Sequence, residues 1–312
     1  MRIILVSPRG FCAGVNMAID SLNTAIRRFG TPIYVYHEIV HNTWVVQRFR
    51  EQGVVFIDDL TEVPRGSHLL YSAHGVSPEV RRMAEERRLR VIDATCPLVM
   101  KVHREAIRFA REGYQILLIG HAGHDEVIGT MGEVPEAIHL IQTAADVDRL
   151  ALPADTKIAY LTQTTVSCEE AAQIIERIHR RFPQVQGPPK KDICYATANR
   201  QEAVQKVAKE ADLVLVVGSA TSSNSRRLAE LASASGVTSR LIDGPSDIEL
   251  TWFTGHETVA ITAGASAPES LVEECVALLE KEFSGTIESC VVRREDVRFA
   301  LPVPLRAASD NR

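Results

Sequence analysis

Three cysteines are spaced so that each could supply one ligand to a shared metal centre. Cys12, Cys96 and Cys194 are separated by 84 and 98 residues, and each lies just before a predicted helix. The positive end of a helix favours a thiolate, and its free N–H groups can donate to sulfide. Three such thiolates could hold an iron–sulfur cluster with one iron left open. Because the sequence has no CxxC pair, spacing alone favours the alternative of three inert, buried cysteines.

The remaining cysteines form no comparable set. Cys168 follows Ser167 at a predicted helix start, so position alone does not separate it from the other three. Cys275 has the helical spacing of a core residue, and Cys290 fits either the core or the surface. Six scattered cysteines in 312 residues are too few for a disulfide scaffold. We expect a cytoplasmic protein, and a reducing compartment favours thiols or metal ligands over disulfides.

Polar residues in loops form a second candidate group, suited to phosphate oxygens. The histidines of this group lie among small residues and not on apolar stripes, which favours a polar role, although a lone histidine of this kind is more often structural. Short side chains at predicted helix starts add hydrogen-bond donors. The group comprises His41, His74, His124, Ser222, Ser223, Asn224 and Ser266.

One acid and one hydroxyl group complete the possible chemistry. Glu126 lies two residues after His124 in a glycine-bounded loop and is a candidate proton donor. An ordinary solvated acid is the competing interpretation. Thr164 offers a hydroxyl group to the same region and could equally cap a helix.

An alternation of short apolar runs, polar loops and amphipathic helices must position these residues. This alternation predicts an α/β fold with parallel strands. The predicted strands span residues 3–6, 33–36, 54–57, 69–71, 91–92, 116–119, 158–161, 213–217 and 259–261. One predicted helix has apolar residues at helical spacing from Val15 to Ile26, and another runs from Pro97 to Gly113.

Five small, polar loops follow predicted strands, where ligands bind in open parallel sheets. They span residues 72–75, 120–126, 162–165, 218–224 and 262–266. Turns and helix caps explain any one of them, but five in one chain favour a shared ligand. Neither GxGxxG nor GxxxxGKS/T follows a strand, which argues against a glycine-rich phosphate loop.

Composition excludes several classes of protein. The net charge of −5, from 35 basic and 40 acidic residues, argues against a nucleic-acid surface. A hydrophobic fraction of 45% with 24% charged residues excludes disorder as the main state. No apolar run approaches the ~18 to 20 residues of a membrane span, and residues 1–8 resemble a strand more than a signal peptide.

Length and loop composition predict four segments. These are a first lobe over residues 1–97, a second over 98–191, a third over 192–280 and a tail over 281–312. Residues 183–191, rich in proline, glycine and lysine, are the best linker candidate.

Nine ordered motifs carry a resemblance to one enzyme family. They are PRGFCAGV at 8–15, HEIVHN at 37–42, SAHGVS at 72–77, DATCPLV at 93–99, GHAGH at 120–124, TQTT at 162–165, DICYAT at 192–197, SSNS at 222–225 and TAGASAP at 262–268. Over residues 1 to about 280 the chain resembles the 4-hydroxy-3-methylbut-2-enyl diphosphate reductases, the IspH/LytB family.

The resemblance implies three pseudo-equivalent lobes, each a small, mostly parallel sheet flanked by helices, around a central cluster cavity. It implies that Cys12, Cys96 and Cys194 hold one 4Fe-4S cluster with an open iron, that Glu126 supplies protons, and that Thr164 orients the substrate hydroxyl group. The residues that it assigns to the substrate diphosphate are His41, His74, His124, Ser222, Ser223, Asn224 and Ser266.

The implied reaction is a reductive dehydroxylation with two electrons and two protons. It gives isopentenyl and dimethylallyl diphosphate and ends the methylerythritol phosphate route to isoprenoids. Because the chain has no flavin or dinucleotide motif, the expected electron donor is ferredoxin or flavodoxin. Two residues fall outside the family pattern: Asp125 stands where members often have proline, and Cys168 has no family role and is assigned to structure.

Two other functions compete with the reductase. A phosphohydrolase could use His41, His74, His124 and Glu126 around Zn²⁺ or Mn²⁺, and it would need no cysteine. A non-catalytic module that binds phosphometabolites would keep the three cysteines in its core and would be colourless.

Overall fold

The structure, a computed structural model, describes residues 1–153 and 155–306, and all nine predicted strands lie within its strands. The strands of the described residues are β1 (Arg2–Ser7), β2 (Ile33–Tyr36), β3 (Val54–Ile57), β4 (His68–Tyr71), β5 (Arg90–Asp93), β6 (Gln115–Ile119), β7 (Ile138–Ile141), β8 (Ile158–Thr162), β9 (Leu213–Val217), β10 (Thr238–Ile242), β11 (Thr258–Ala263) and β12 (Thr286–Val291). The α-helices are α1 (Ala13–Phe29), α2 (Thr43–Glu51), α3 (Pro78–Glu86), α4 (Pro97–Arg111), α5 (Asp125–Glu133), α6 (Ala144–Arg149), α7 (Cys168–Arg181), α8 (Tyr195–Val207), α9 (Ser223–Ala234) and α10 (Glu269–Phe283).

The strands form three small sheets, and every pair of neighbouring strands is parallel. Their orders are β10-β9-β11-β1-β12, β3-β2-β4-β5 and β7-β6-β8. The predicted α/β class, with three small parallel sheets flanked by helices, is therefore confirmed. The sequence analysis missed β7, β10 and β12, and each of these is an edge strand.

The chain divides into two compact units. Unit 1 contains residues 1–15, 40–49 and 195–298, which include the five-stranded sheet. Unit 2 contains residues 16–39, the described part of 50–194 and the segment that begins at Phe299, and it holds the other two sheets. The four predicted segments and their arrangement around a central cavity stay predictions.

The core of unit 1 lies on both faces of its sheet. Every residue of β9 is buried, as expected for a strand covered by helices on both sides. Val214 and Val216 pack with residues of α8 and α9, whereas Leu215 and Val217 pack with residues of α10. Cys275 of α10 is fully buried in this second cluster, so its predicted core position is confirmed.

In unit 2, the three-stranded sheet packs against two helices that matter below, α4 and α5. Ile116 and Leu118 of β6 pack with α4 and α5, and Leu117 and Ile119 pack with α7. The predicted linker, residues 183–191, includes Gln186, which forms a parallel bridge with Ala159 of β8. Among the helices of the described residues, none is both long and apolar enough to cross a membrane.

Candidate active site

A buried carboxyl group lies at the ends of two neighbouring strands in unit 2. Glu126 is in the first turn of α5, and only 2% of its surface is exposed. The N–H group of Thr164 donates to Glu126 Oε1 at 2.7 Å, and the Thr164 hydroxyl group donates to Oε2 at 2.8 Å. A Cβ atom at Gly120 would lie 2.7 Å from Val127, so glycine allows α5 to start close to the end of β6. The interpretation of Glu126 as a solvated acid is therefore wrong.

The environment of Glu126 prepares it for proton exchange near neutral pH. Burial raises the pKa of Glu126 from 4.5 to about 7, and the negative charge of Asp192 adds to the rise. The two hydrogen bonds from Thr164 act in the opposite direction but do not cancel the effect of burial. A pKa near the working pH is the property that a general acid needs.

Thr164 also connects this carboxyl group to one of the three candidate cysteines. The N–H group of Cys194 donates to the Thr164 carbonyl at 3.1 Å, and α8 begins at the next residue. Just before Cys194, the buried Asp192 accepts from Lys101 Nζ at 2.7 Å and from the Thr162 N–H group at 3.0 Å. The segment with Cys194 is thus fixed both to the end of β8 and to α4.

Cys96 occupies the N-cap position of α4, with Pro97 as the first helical residue. Its N–H group donates to the Ala73 carbonyl at 3.0 Å, in the loop that follows β4. His74 directly follows Ala73 in the sequence, so it is adjacent to the residue that Cys96 contacts. The prediction that this cysteine precedes a helix is confirmed.

Two predicted diphosphate ligands meet in the same unit. The rings of His74 and His124 are edge to face, with centroids 5.8 Å apart. His124 caps α5, since its Nδ1 atom accepts from the Glu126 N–H group at 3.1 Å. A neutral His124 consequently carries its hydrogen on Nε2 and can donate it to an anion.

Unit 1 positions Cys12 through a second set of contacts. The N–H group of Cys12 donates to the Ala265 carbonyl at 3.2 Å, and α1 begins at the next residue. Gly10 has a φ of +67°, a left-handed conformation that favours glycine. Its carbonyl accepts from Nη2 of Arg200 at 2.8 Å, and Arg200 is only 1% exposed and is paired with Glu295.

The other predicted diphosphate ligands also lie in unit 1, at the start of α9 and beside it. The hydroxyl group of Ser266 donates to the His41 carbonyl at 2.9 Å and lies 3.3 Å from the hydroxyl oxygen of Ser222, which caps α9. Within the described residues, Ser223 Oγ and both polar atoms of the Asn224 amide are buried without a hydrogen-bond partner. Buried polar atoms of this kind call for a ligand, and the start of a helix favours an anion.

The three candidate cysteines share an exposure that suits a ligand. Cys12, Cys96 and Cys194 are half-buried, as is Cys290, whereas Cys275 is buried and Cys168 is exposed. The alternative in which all three are core cysteines therefore does not fit. Arg200 and Lys101 were not predicted, and Asp192 was noted only within the motif at 192–197, because nothing in a sequence marks a charged residue that is buried with a partner.

Fold and site together define an α/β enzyme with a buried carboxyl group, poised to exchange protons, beside a cysteine at a helix start. The chain matches the model of the LytB protein family over residues 3–280. It belongs to this family.

Similar proteins cover the chain from end to end. A protein from Rhodopirellula baltica is 58% identical, with 98% of this chain and 96% of the relative covered; one from Alcanivorax borkumensis is 51% identical, with 98% and 100% covered. Both are named 4-hydroxy-3-methylbut-2-enyl diphosphate reductase. A solved structure of the E-1-hydroxy-2-methyl-but-2-enyl-4-diphosphate reductase from Plasmodium falciparum has a TM-score of 0.95 and 39% identity, with 97% of this chain and 96% of that chain covered. Membership implies a reductase that acts on a diphosphate and uses an iron–sulfur cofactor.

Proposed function

We propose that this chain reduces (E)-4-hydroxy-3-methylbut-2-enyl diphosphate to isopentenyl and dimethylallyl diphosphate. Two electrons and two protons enter, the allylic C–O bond breaks, a C–H bond forms and water leaves, as the last step of the methylerythritol phosphate pathway. One observation carries the proposal: a buried Glu126 with a pKa of about 7 is hydrogen-bonded to Thr164, whose carbonyl accepts from Cys194.

The residues present fit the cofactor that the family implies. We assign one 4Fe-4S cluster to Cys12, Cys96 and Cys194, because all three are half-buried thiols at the starts of helices, where the helix dipole stabilises thiolates. Three ligands leave one iron of such a cluster open. When bound, the cluster would supply electrons and a Lewis-acidic iron.

Uncharged and histidine donors would hold the diphosphate. The atoms that support this assignment are Ser223 Oγ and the Asn224 amide, which are buried at the start of α9 and have no hydrogen-bond partner in the described part of the chain. The complete proposed set adds His41, His74, His124, Ser222 and Ser266 to these two residues. Donors fixed in place at a helix start bind an anion without having to reorganise.

Glu126 and Thr164 would handle the substrate hydroxyl group. Hydroxide is a poor leaving group, so a proton must reach the oxygen as the C–O bond breaks. At its pKa of about 7, Glu126 holds this proton on about half of the molecules at neutral pH. The Thr164 hydroxyl group, 2.8 Å from Glu126 Oε2, would orient the substrate oxygen toward the acid. Glu126 would then take up the second proton from solvent.

Electrons would come from a separate protein. The sequence has no flavin or dinucleotide motif, so we assign this role to ferredoxin or flavodoxin. We also assign the chain to the cytoplasm, where thiols stay reduced.

An anaerobic preparation tests the proposal. We expect about four iron and four sulfide per chain, as a 4Fe-4S cluster requires, and turnover of the substrate with a reduced viologen. Cys96→Ser should lose iron and turnover, whereas the matched control Cys168→Ser, at an exposed residue, should keep both. A colourless chain that takes up no iron and sulfide would refute the reductase. The histidine-centred phosphohydrolase would then be supported by metal-dependent phosphate release, and the binding module by diphosphate binding without turnover.

A further inference from the structure

One carboxylate in unit 2 faces two imidazoles, and one of them, His74, belongs to the proposed diphosphate site. Asp125, the first residue of α5, lies between His124 and Glu126. Its Oδ1 atom is 2.7 Å from His37 Nδ1, and its Oδ2 atom is 3.8 Å from His74 Nδ1. The Asp125 side chain is 15% exposed, so these contacts are only partly screened by water.

His37 is held firmly on its side of this carboxylate. It follows β2 with a φ of +56°, a left-handed conformation that is costly for a residue other than glycine. Its N–H group donates to the Ile57 carbonyl at 2.9 Å, and its ring stacks on Tyr36 with centroids 4.0 Å apart. The hydrogen bond to Asp125 raises the pKa of His37. At a pH below this raised pKa, His37 is positively charged and forms an ion pair with Asp125.

His74, like His37, faces Asp125 with its Nδ1 atom. The Nδ1 atom of His74 lies 3.3 Å from the Ser72 hydroxyl oxygen as well as 3.8 Å from Asp125 Oδ2. A ring engaged through Nδ1 turns its Nε2 atom to the opposite side. A nearby carboxylate also stabilises the imidazolium form, in which Nε2 carries a hydrogen and the ring carries a positive charge.

We propose that Asp125 is a positioning residue of the diphosphate site: its carboxylate orients His74 and favours the cationic ring that donates to the anion. The inference rests on the proposed function, in which His74 binds the substrate diphosphate. Serine and asparagine donors bring no charge to a diphosphate, so a cationic histidine supplies attraction that these donors lack.

The attraction between Asp125 and a cationic His74 outweighs the repulsion between Asp125 and a bound diphosphate. The Asp125 carboxylate is 3.8 Å from the His74 ring nitrogen. A phosphate oxygen bound to the far nitrogen would lie about 8 Å from the carboxylate at ordinary hydrogen-bond lengths. Coulomb energy falls with distance, and His37 neutralises part of the carboxylate charge. The carboxylate therefore acts mainly on the imidazole.

Two substitutions distinguish the effect of the Asp125 carboxylate from an effect on the local fold. Asp125→Asn keeps an oxygen for His37 and removes the charge. Asp125→Pro replaces the side chain at the first helical position, where proline is well accepted, and His124 before it already has the extended backbone (φ −76°, ψ 134°) that precedes proline. Asp58→Asn is the control, because Asp58 is exposed and its charge acts on His37 without a direct contact.

The experiment measures kcat and KM for the anaerobic holoenzyme and the Kd of inorganic diphosphate by calorimetry. We expect KM and Kd to rise about five- to tenfold in both Asp125 variants, as for the loss of a partly exposed charge interaction. We expect kcat to stay within about twofold, because Glu126 keeps its own contacts, and Asp58→Asn to stay within about twofold in all three quantities. A change in kcat with KM and Kd unaltered would overturn the inference, since it would indicate disturbance of the proton donor.

The outcomes distinguish this inference from the proposed function. If the wild-type holoenzyme turns over the substrate but Asp125→Asn binds diphosphate as tightly or more tightly, only the role of Asp125 is overturned. A wild-type holoenzyme that neither turns over the substrate nor binds diphosphate overturns the proposed function. Should Asp125→Pro unfold, as judged by circular dichroism, Asp125→Asn decides the question.

Discussion

Replacing Glu126 with Gln should change the pH dependence of stability as well as catalysis. Glutamine has the shape of a protonated glutamic acid but does not ionise, so the variant keeps the neutral form at every pH. In the wild type, Glu126 is 2% exposed, and burial raises its pKa from 4.5 to about 7. Below pH 4.5 the acid is neutral in both the folded and the unfolded chain, and ionisation makes no difference there.

The sign and size of the effect follow from this pKa. Between pH 4.5 and about 7 the unfolded chain loses a proton that the folded chain keeps, so the wild type loses stability as the pH rises through this window. Each pH unit corresponds to about 1.4 kcal/mol. From pH 5 to pH 8 the stability of Glu126→Gln relative to wild type should therefore grow by about 2 to 3 kcal/mol. Above pH 8 it should stay constant.

Urea unfolding under anaerobic conditions, at pH 5, 6, 7 and 8, measures this difference. Both proteins carry the same cofactor, so the cofactor contribution largely cancels. Glu273→Gln, at an exposed residue of α10, is the control and should show no comparable change with pH. A Glu126→Gln stability difference that is flat from pH 5 to pH 8 would refute the reasoning. Turnover by Glu126→Gln should fall by about 10²- to 10⁴-fold with little change in KM, as for the loss of a general acid.

Two further substitutions test the supports of the site in unit 1. Arg200→Met should lower the free energy of unfolding by about 3 to 5 kcal/mol, because it removes the cation that is paired with Glu295 at a buried position. Arg293→Met, at an exposed pair, should cost less than about 1 kcal/mol, and equal losses in the two variants would contradict the assignment. Asn224→Ala should raise KM about tenfold or more and leave the melting temperature near that of the wild type, because the buried amide has no hydrogen-bond partner among the described residues. A large drop in melting temperature with an unchanged KM would show that Asn224 is structural.

The central strands were predictable because burial on both faces leaves a distinct pattern. The run at residues 213–217 is apolar throughout, and in the structure every residue of β9 is buried. The three missed strands lie at sheet edges, where one side of the strand has no neighbour and polar residues are common. β12, for example, has exposed residues at five of its six positions. Its pairing with β1 depends on contacts between distant parts of the chain, which local patterns do not encode.

The chemistry of the site was predictable in kind but not in detail. The sequence around Cys12, Cys96 and Cys194 correctly predicted that each cysteine lies just before a helix. The burial of Glu126, and therefore its raised pKa, depends on the packing of α5 against Thr164 and could not be derived from the sequence. The pairing of Arg200 with Glu295 likewise needs the fold, because the two residues are far apart in the chain and Glu295 follows no regular pattern.

The position of β1 in its sheet bears on how the protein is made. β1 is synthesised first, but its partners are β11 and β12: Arg2 pairs with both Thr258 and Thr286. While most of unit 2 can fold as it leaves the ribosome, β1 must wait for β11 and β12, which are made after the other strands of the described residues. Cys12 follows β1, and its N–H group bonds to Ala265, so its final surroundings form only after that residue has emerged. Under the proposed assignment, delivery of iron and sulfide to Cys12 would therefore be a late event, and nascent chains that stall before residue 265 should carry this thiol exposed to chaperones and oxidants.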